Sequence, residues 1–203
     1  MKNLFIAAAL LFWSLPTLAE SGSSIDYEKI FSRGEWQLSL GFGSADINHA
    51  KNFNPSDDNP ARLDIFGLWR IELMRSIALS GDGLHRKNYL LFLDDSTEDG
   101  LDVRTLGIGV GRGIRIHKNN LIGLGADLNL SLGLVNADFY HENSSESDNT
   151  AMIGLNAQVS LFVSRFILSL NGNLRETLPV ELFDNSDTLS GHAVYVSMGI
   201  SFY

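Results

Sequence analysis

The 203-residue sequence contains no cysteine. A lipid-modified cysteine, a disulfide and a thiolate metal site are therefore excluded. There is also no run of eighteen apolar residues, which excludes a helical membrane protein. Lys and Arg total 15 against 24 Asp and Glu, and such an acidic chain is a poor candidate for wrapping nucleic acid. With four prolines and no Pro-rich or Ser-rich linker, the chain is expected to form one domain.

The first nineteen residues have the pattern of a secretory signal peptide. Lys2 precedes an apolar run from Leu4 to Trp13, and the segment ends at Ala19. That run is too short to span a bilayer, which disfavours a membrane anchor. We expect residues 1–19 to be cleaved, residues 20–34 to form a short periplasmic segment and residues 35–203 to form the folded domain.

The sequence contains many segments in which apolar residues alternate with small or polar residues. In Leu121–Tyr140 the even positions from 124 to 134 are apolar, and the odd positions from 125 to 133 are small or polar. A period of two is typical of a β-strand with one apolar face. No amphipathic helix is available to cover so many such faces, so lipid is the expected cover. A sheet in lipid leaves no edge unpaired, which predicts a closed barrel.

Eight segments are predicted as strands. A helix is the alternative for Trp69–Leu79, where Leu, Met, Glu and Arg dominate. The fold prediction is an all-β, membrane-spanning, antiparallel up-and-down barrel of eight strands. The strands are Glu35–Ala45, Arg62–Met74, one within Ser76–Leu93, Asp102–Ile116, Leu121–Tyr140, Thr150–Val163, Phe166–Arg175 and Val194–Phe202.

The predicted connections are long at one end and mostly short at the other. Acidic residues concentrate in the long loops and basic residues lie near the turns, which is typical of loops kept soluble by charge. The alternative is that loop carboxylates bind Ca²⁺ or Mg²⁺ and bridge to lipopolysaccharide phosphates, although no loop has a spaced ligand motif. The long loops are Asp46–Ala61, Asp94–Gly100, His141–Asn149 and Glu176–Gly191, and the tight turns are His117–Asn120 and Ser164–Arg165.

Long outer loops and short periplasmic turns alternate in this way in bacterial outer-membrane barrels. From Glu35 to Tyr203, the chain resembles the small eight-stranded outer-membrane barrels of the OmpX and OmpA transmembrane-domain type. The resemblance lies in architecture and is not residue by residue. It implies periplasmic N- and C-termini, and a C-terminal strand, here ending at Phe202 and Tyr203, that the outer-membrane assembly machinery recognises.

Inward positions of the predicted strands carry charged and amide side chains. An eight-stranded barrel is just wide enough for side chains to fill, so these residues are expected to pair and plug it. Inward glycines, such as Gly107 and Gly125, are expected to make room for long side chains from across the lumen, with an internal ligand cavity as the alternative. Arg112 falls on the outward face and is expected to extend to the interface. The predicted polar core is Asp64, Arg70, Glu72, Arg115, Asp127, Asn129, Asn156, Gln158, Asn171, Asn173 and Arg175.

Catalysis would need a nucleophile, a base and an orienting acid within reach of one another. Lipid A deacylases and palmitoyltransferases are small barrels that place such residues near the outer rim. No motif of either family matches, so we assign no catalytic, cofactor or metal residue. The best local cluster is His141, Glu142, Ser144, Ser145 and Glu146, with His49 and His192 expected at the same rim.

The first functional prediction is a non-enzymatic integral protein of the outer membrane, with acidic surface loops and a role in envelope integrity or surface interaction. A lipid A modifying acyl hydrolase or acyltransferase is the alternative, and a narrow pore is the third. The expected partners are outer-membrane lipid, lipopolysaccharide and the assembly machinery. The protein is expected to be a monomer and not to bind nucleic acid.

Overall fold

The computed structural model describes residues 34–48, 67–79, 84–98, 101–117, 122–141, 144–182 and 185–202. Eight strands in these ranges pair in chain order, and β8 pairs with β1 to close the ring. The predicted all-β, antiparallel barrel of eight strands is confirmed. The strands are β1 Gly34–Asn48, β2 Leu68–Ala78, β3 His85–Glu98, β4 Leu101–His117, β5 Ile122–His141, β6 Ser144–Val163, β7 Phe166–Leu182 and β8 Asn185–Phe202.

The two ends of the barrel are named here by the strand connections that lie at them, the turn end and the hairpin end. The turn end holds Gly34, Phe202 and the Ser164–Arg165 turn, whose prediction is confirmed. Ser164 adopts a φ of 57°, in the left-handed region that a tight reversal often requires. At the opposite end, the hairpin end, the paired strands β3–β4, β5–β6 and β7–β8 approach one another around residues 99–100, 142–143 and 183–184.

The strand register requires the strands to tilt. Following directly paired residues once around the ring returns to β1 ten residues further along, from Trp36 to Asp46. A ring with such a displacement closes only when its strands are inclined to the barrel axis. Directly paired residues therefore climb steadily around the wall. The path is Trp36, Arg75, Tyr89, Val110, Leu130, Leu155, Leu174, His192 and Asp46.

An apolar band covers the outward face of the ring. Leu134, towards the hairpin end of the band, is 70% exposed, and Phe166, at its turn end, is 69% exposed. A continuous exposed apolar surface of this kind marks contact with lipid, and a closed ring leaves no strand edge unpaired there. The barrel therefore spans a membrane. Each strand contributes to the band, for example through Leu38, Ile71, Leu91, Ile108, Leu132, Val159, Leu170 and Val196.

Three of the predicted long loops are wrong. Strand pairing continues through most of Asp94–Gly100, His141–Asn149 and Glu176–Gly191, so the strands extend well past the band. Most outward side chains of these extensions are polar, whereas several inward ones, such as Val103 and Phe139, are apolar and buried. The fourth predicted loop, Asp46–Ala61, begins too early, since β1 runs to Asn48. The rest of that loop lies outside the described residues.

The second and third strands also differ from their predictions. The helix considered for Trp69–Leu79 is wrong, because β2 covers Leu68–Ala78 and pairs with strands on both sides. Arg70, Glu72 and Met74 point inward while Ile71 lies outward, so the burial repeats every two residues. The third strand lies at His85–Glu98, later than predicted, and residues 62–66 of the predicted second strand lie outside the described residues.

Several predictions fall beyond the described residues. They include the signal peptide at residues 1–19, most of the periplasmic segment at residues 20–34, and residues 118–120 of the predicted turn after His117. Within the described ranges, no helix is long and apolar enough to cross a membrane.

Candidate functional site: a filled barrel with an acidic hairpin end

The middle of the barrel interior is filled by a charged network. Arg70 donates from Nε to Glu72 Oε2 over 3.1 Å and from a terminal nitrogen to Asp94 Oδ2 over 3.2 Å. Its guanidinium also lies 3.8 Å from the centre of the Phe92 ring. Arg175 approaches the other oxygen of Asp94 at 3.7 Å. Each buried charge thus has an opposite charge beside it, which a buried ion requires.

A second ion cluster lies nearer the turn end. The Glu35 carboxylate pairs with Arg86 at 3.3 Å and with Arg115. Arg115 also stacks over the Phe162 ring at 3.9 Å, so one side chain fills space as well as carrying charge. Phe162 approaches Gly125, where an added Cβ would lie 2.9 Å from the ring. That glycine therefore makes room for a side chain as predicted, but for one from the neighbouring strand and not from across the lumen.

Hydroxyl and amide groups complete the polar interior. Asn156 donates to the Tyr195 hydroxyl over 2.8 Å, and the Gln158 amide donates to Ser160 over 2.7 Å and Ser169 over 3.0 Å. The predicted polar core is confirmed for its described members: Arg70, Glu72, Arg115, Asn129, Asn156, Gln158, Asn171, Asn173 and Arg175 are buried and Asp127 is half-buried, while Asp64 lies outside the described residues.

Sequence reasoning missed several interior residues. Asp94 falls in a predicted loop but lies in the interior, and the alternation of Val194 and Val196 puts Tyr195 inward. Arg86 lies inside the barrel beside Glu35. The signal that locates all three is the strand parity, once the strand limits are known.

Buried apolar side chains fill much of the interior of the hairpin end. They are at most 3% exposed and pack into one cluster, beside buried polar groups such as Ser96 and Thr177. The cluster lies above the charged network and occupies the place where a channel would open. A conducting path would have to cross this layer, so the geometry opposes the predicted narrow pore. The residues are Ile47, Leu101, Val103, Val135, Ala137, Phe139, Val180, Leu182 and Leu189.

The exterior of the hairpin end is polar and acidic. Leu134 is the last apolar outward residue of β5, and Asn136 and Asp138 take the following outward positions while Val135 turns inward. Arg104 lies between two acids, 3.5 Å from Asp95 and 3.6 Å from Asp138. This inversion marks the membrane boundary. No group of three or more His, Cys, Asp or Glu residues in the described part of the chain could hold a metal ion.

A shallow groove indents the lipid-facing wall just below this boundary. It has a volume of about 290 Å³ and is lined mainly by β6, β7 and β8. A Cβ added at Gly172 would meet nothing within 4 Å, so the missing side chain creates the indentation. His192 lies at the rim, with Nε2 3.9 Å from Asp46 Oδ2. Ser44 sits two residues before Asp46 and pairs with Val194, which brings its outward position diagonal to His192.

The structure describes only part of the predicted histidine cluster. The backbones of His141 and Ser144 pair at the end of β5–β6, but their side chains, Glu142 and His49 lie outside the described residues. Ser145 and Glu146 are exposed on β6. His192 sits on the outer wall next to Asp46. Sequence reasoning missed Ser44 and Asp46 as its neighbours, because their proximity depends on the pairing of the first and last strands.

Comparison with known proteins gives distant structural likenesses. No protein-family model matches the chain, and no curated protein matches it. Neisserial surface protein A is similar over 84% of this chain and 98% of its own, with 10% identity and a TM-score of 0.49. Ail, the attachment invasion locus protein of Yersinia pestis, covers 84% and 99% with 14% identity and a TM-score of 0.43. The N-terminal β-barrel domain of Pseudomonas aeruginosa OprF covers 83% and 97% with 10% identity and a TM-score of 0.43.

At these TM-scores, the likenesses carry no conclusion about function. The class of the protein follows from its own strand pairing and its apolar band. Closed antiparallel barrels with an outward apolar band are the integral proteins of outer membranes. The predicted architecture of a small eight-stranded outer-membrane barrel is thus confirmed, and we place the protein in that membrane.

Proposed function

We propose that the protein is a non-enzymatic barrel that presents a rigid acidic surface outside the cell to a cationic partner. In this proposal the hairpin end faces outward, while the turn end and both chain termini face the periplasm. The observation that carries it is the polarity inversion at the hairpin end, where an apolar interior supports a charged exterior.

Charge supports this orientation and partner class. The described residues at or beyond the hairpin-end boundary, in the ranges 44–48, 67–68, 95–98, 101–104, 136–141, 144–149, 176–182 and 185–192, contain 10 acidic residues and 1 basic residue, a formal net charge of −9. A field of this sign attracts cations and repels anions. A surface held by strand pairing also loses little conformational freedom on binding, which favours affinity.

Orientation can be tested cleanly because the chain has no cysteine. Ser147→Cys places a thiol on the exposed part of β6, and Arg165→Cys places one on the turn at the other end. A membrane-impermeant maleimide added to intact cells should label the first variant and spare the second until the outer membrane is opened. Labelling of Arg165→Cys alone in intact cells contradicts the proposed orientation.

Partner class can be tested in zwitterionic vesicles that contain the folded protein. Fluorescent polylysine should bind, and neutralising four hairpin carboxylates should weaken binding several-fold and flatten its salt dependence, since exposed charge attraction is screened by salt. The matched control exchanges Asp and Glu at the same positions and should bind like wild type. Equal binding by the neutralised variant rejects the acidic surface. The positions, all on the outward face, are Asp102, Asp138, Glu176 and Glu181.

A second candidate is hydrolysis of a lipid acyl ester at the outer wall, and the groove beside His192 is the observation that favours it. Ser44 would attack the ester carbonyl while His192, oriented by Asp46, takes its proton and passes it to the departing alcohol. Water, activated by His192, would then release the fatty acid from the acyl-serine and restore Ser44. Mass spectrometry of lipid A tests this. Loss of an acyl chain that depends on both Ser44 and His192 in alanine variants, but not on His85, favours this candidate. An unchanged spectrum with folded wild-type protein in the membrane rejects it.

A further inference from the structure

Three basic side chains stand on the lipid-facing wall towards the turn end. Arg75, Lys87 and Arg112 occupy outward positions on β2, β3 and β4. Lys87 and Arg112 are directly paired, and Arg75 pairs with Trp36 and with Tyr89. The three residues thus form one basic patch on adjacent strands.

The register places this patch near the turn-end edge of the apolar band, and the outward residues that follow Arg112 on β4 are Ile114 and Ile116. The circuit rises ten residues over eight strands, or about 1.25 residues per strand. When this rise is subtracted for each strand between β1 and the residue, the heights of Arg75, Lys87 and Arg112 all lie within about two residues of the height of Trp36. That difference is roughly 5 Å along the barrel axis. Ser44, at the opposite boundary, is eight residues above Trp36 on the same strand. The patch therefore lies in the leaflet at the turn end, at a depth from which its long side chains can extend to the headgroups.

The arrangement calls for an external anion. Like charges directly opposite on paired strands repel, and a lipid-facing cation is tolerated only near an interface. None of the described outward residues within two positions of Lys87 or Arg112 on β2–β5 is acidic. Aromatic rings hold two of the cations in place, since Arg75 lies 5.2 Å from the centre of the Trp36 ring and Lys87 Nζ lies 5.1 Å from that of Tyr89.

We propose that the basic patch binds the phosphate of an anionic glycerophospholipid in the leaflet at the turn end. The acyl chains of that lipid would lie against the exposed apolar wall above it, formed by Leu91, Ile108 and Val110. The depth of the patch and its apolar surroundings favour a lipid over a protein segment. The proposal concerns the wall alone and does not depend on the role of the hairpin end.

Trp36 provides a local reporter for this site. In a chain carrying Trp13→Phe and Trp69→Phe, Trp36 is the remaining tryptophan. The folded protein is placed in phosphatidylcholine vesicles that contain a small fraction of either brominated phosphatidylglycerol or brominated phosphatidylcholine. We expect the anionic quencher to associate roughly five-fold more strongly, given several basic residues at the membrane surface. A companion chain that retains Trp69 in place of Trp36 should show no preference.

Substitution then identifies the charges responsible. Lys87→Gln with Arg112→Gln should reduce the preference to about one, while the exchange Lys87→Arg with Arg112→Lys should keep it. Arg165→Gln removes a cation on the far side of the barrel and should leave it unchanged. A preference that survives the glutamine variant, or that falls equally in Arg165→Gln, overturns the proposal. If the glutamine pair does not fold, as judged by heat-dependent mobility in gels, Arg112→Gln alone should lower the preference, and no change in it overturns the proposal.

Discussion

The two ends of the barrel use the same eight strands with opposite polarity. Towards the turn end, Leu124 and Val159 face outward while Asp127 and Gln158 face the interior. At the hairpin end the pattern reverses, with Val103 and Phe139 inside and Arg104 and Asp138 outside. Alternation along a strand therefore gives the spacing of its faces, but the surrounding medium decides which face is apolar.

This difference changes what holds each end together. In lipid, the apolar residues already face an apolar medium, so the interior contributes specificity through paired charges and hydrogen bonds. In water, burial of apolar side chains is the main favourable term. The hairpin end should therefore respond to core truncation as a soluble protein does, and the membrane part should respond most to unpaired interior charge.

Removing a central interior charge should have the largest effect. Arg70→Leu leaves Glu72 and Asp94 without their shared cation, and breaking such a buried pair costs about 3–5 kcal/mol. The free energy of unfolding in urea, measured in lipid vesicles, should fall by that amount. Adding Glu72→Gln removes the charge left without a partner and should recover part of the loss, whereas Asp94 keeps Arg175 beside it. A loss below about 1 kcal/mol for Arg70→Leu would mean that the interior is well hydrated.

Truncating the hairpin core should have a smaller but clear effect. Phe139 is 1% exposed and lies in the apolar cluster, so Phe139→Ala should cost about 3 kcal/mol. The control is Phe166→Ala in the lipid-facing band, where the side chain is 69% exposed and no cavity forms. Unfolding of both variants in vesicles gives the comparison. Equal losses would show that the hairpin end has no core of its own.

Hydrogen exchange tests whether the hairpin end consists of paired strands or of mobile loops. Ala137 and Asp148 are paired far beyond the band. Amides in such a ladder should exchange at least about a hundred-fold more slowly than free peptide, because local opening is required first. Mass spectrometry of peptides covering β5 and β6 measures this. Exchange at the free-peptide rate across 136–149 would contradict the strand pairing and favour a loop at His141–Asn149.

The sequence was sufficient to predict the barrel, because alternation is local and lipid explains the uncovered faces. It was insufficient for the hairpin end. Asp94–Glu98 and Ser144–Asn149 contain almost no apolar residue, and they form strands because their partners on β4 and β5 carry Leu101, Val103 and Ala137. Local composition therefore predicts loops for these acidic segments, whereas pairing across the hairpin makes them strands.

The candidate sites needed still more distant information. Ser44 and Asp46 approach His192 only because β1 and β8 close the ring, and no local pattern fixes that register. The outward position of Arg112 was predicted from parity alone. The face of its neighbour Lys87 cannot be predicted in this way, because the sequence does not give the limits of β3. Sites built across strands require the register, which depends on closure of the whole sheet.

Substitution of Arg104, an exposed arginine at the hairpin end, should have the smallest effect on the free energy of unfolding. Arg104 also lies between two carboxylates, but its side chain is 53% exposed at the hairpin end. Water and salt screen such a pair, so Arg104→Leu should change the free energy of unfolding by less than about 1 kcal/mol. Arg104→Lys is the matched control and should lie closer to wild type. Because any remaining effect is Coulombic, it should shrink in high salt, whereas the loss in Arg70→Leu should persist. An Arg104→Leu loss as large as that of Arg70→Leu would place the membrane boundary above Arg104 and not below it.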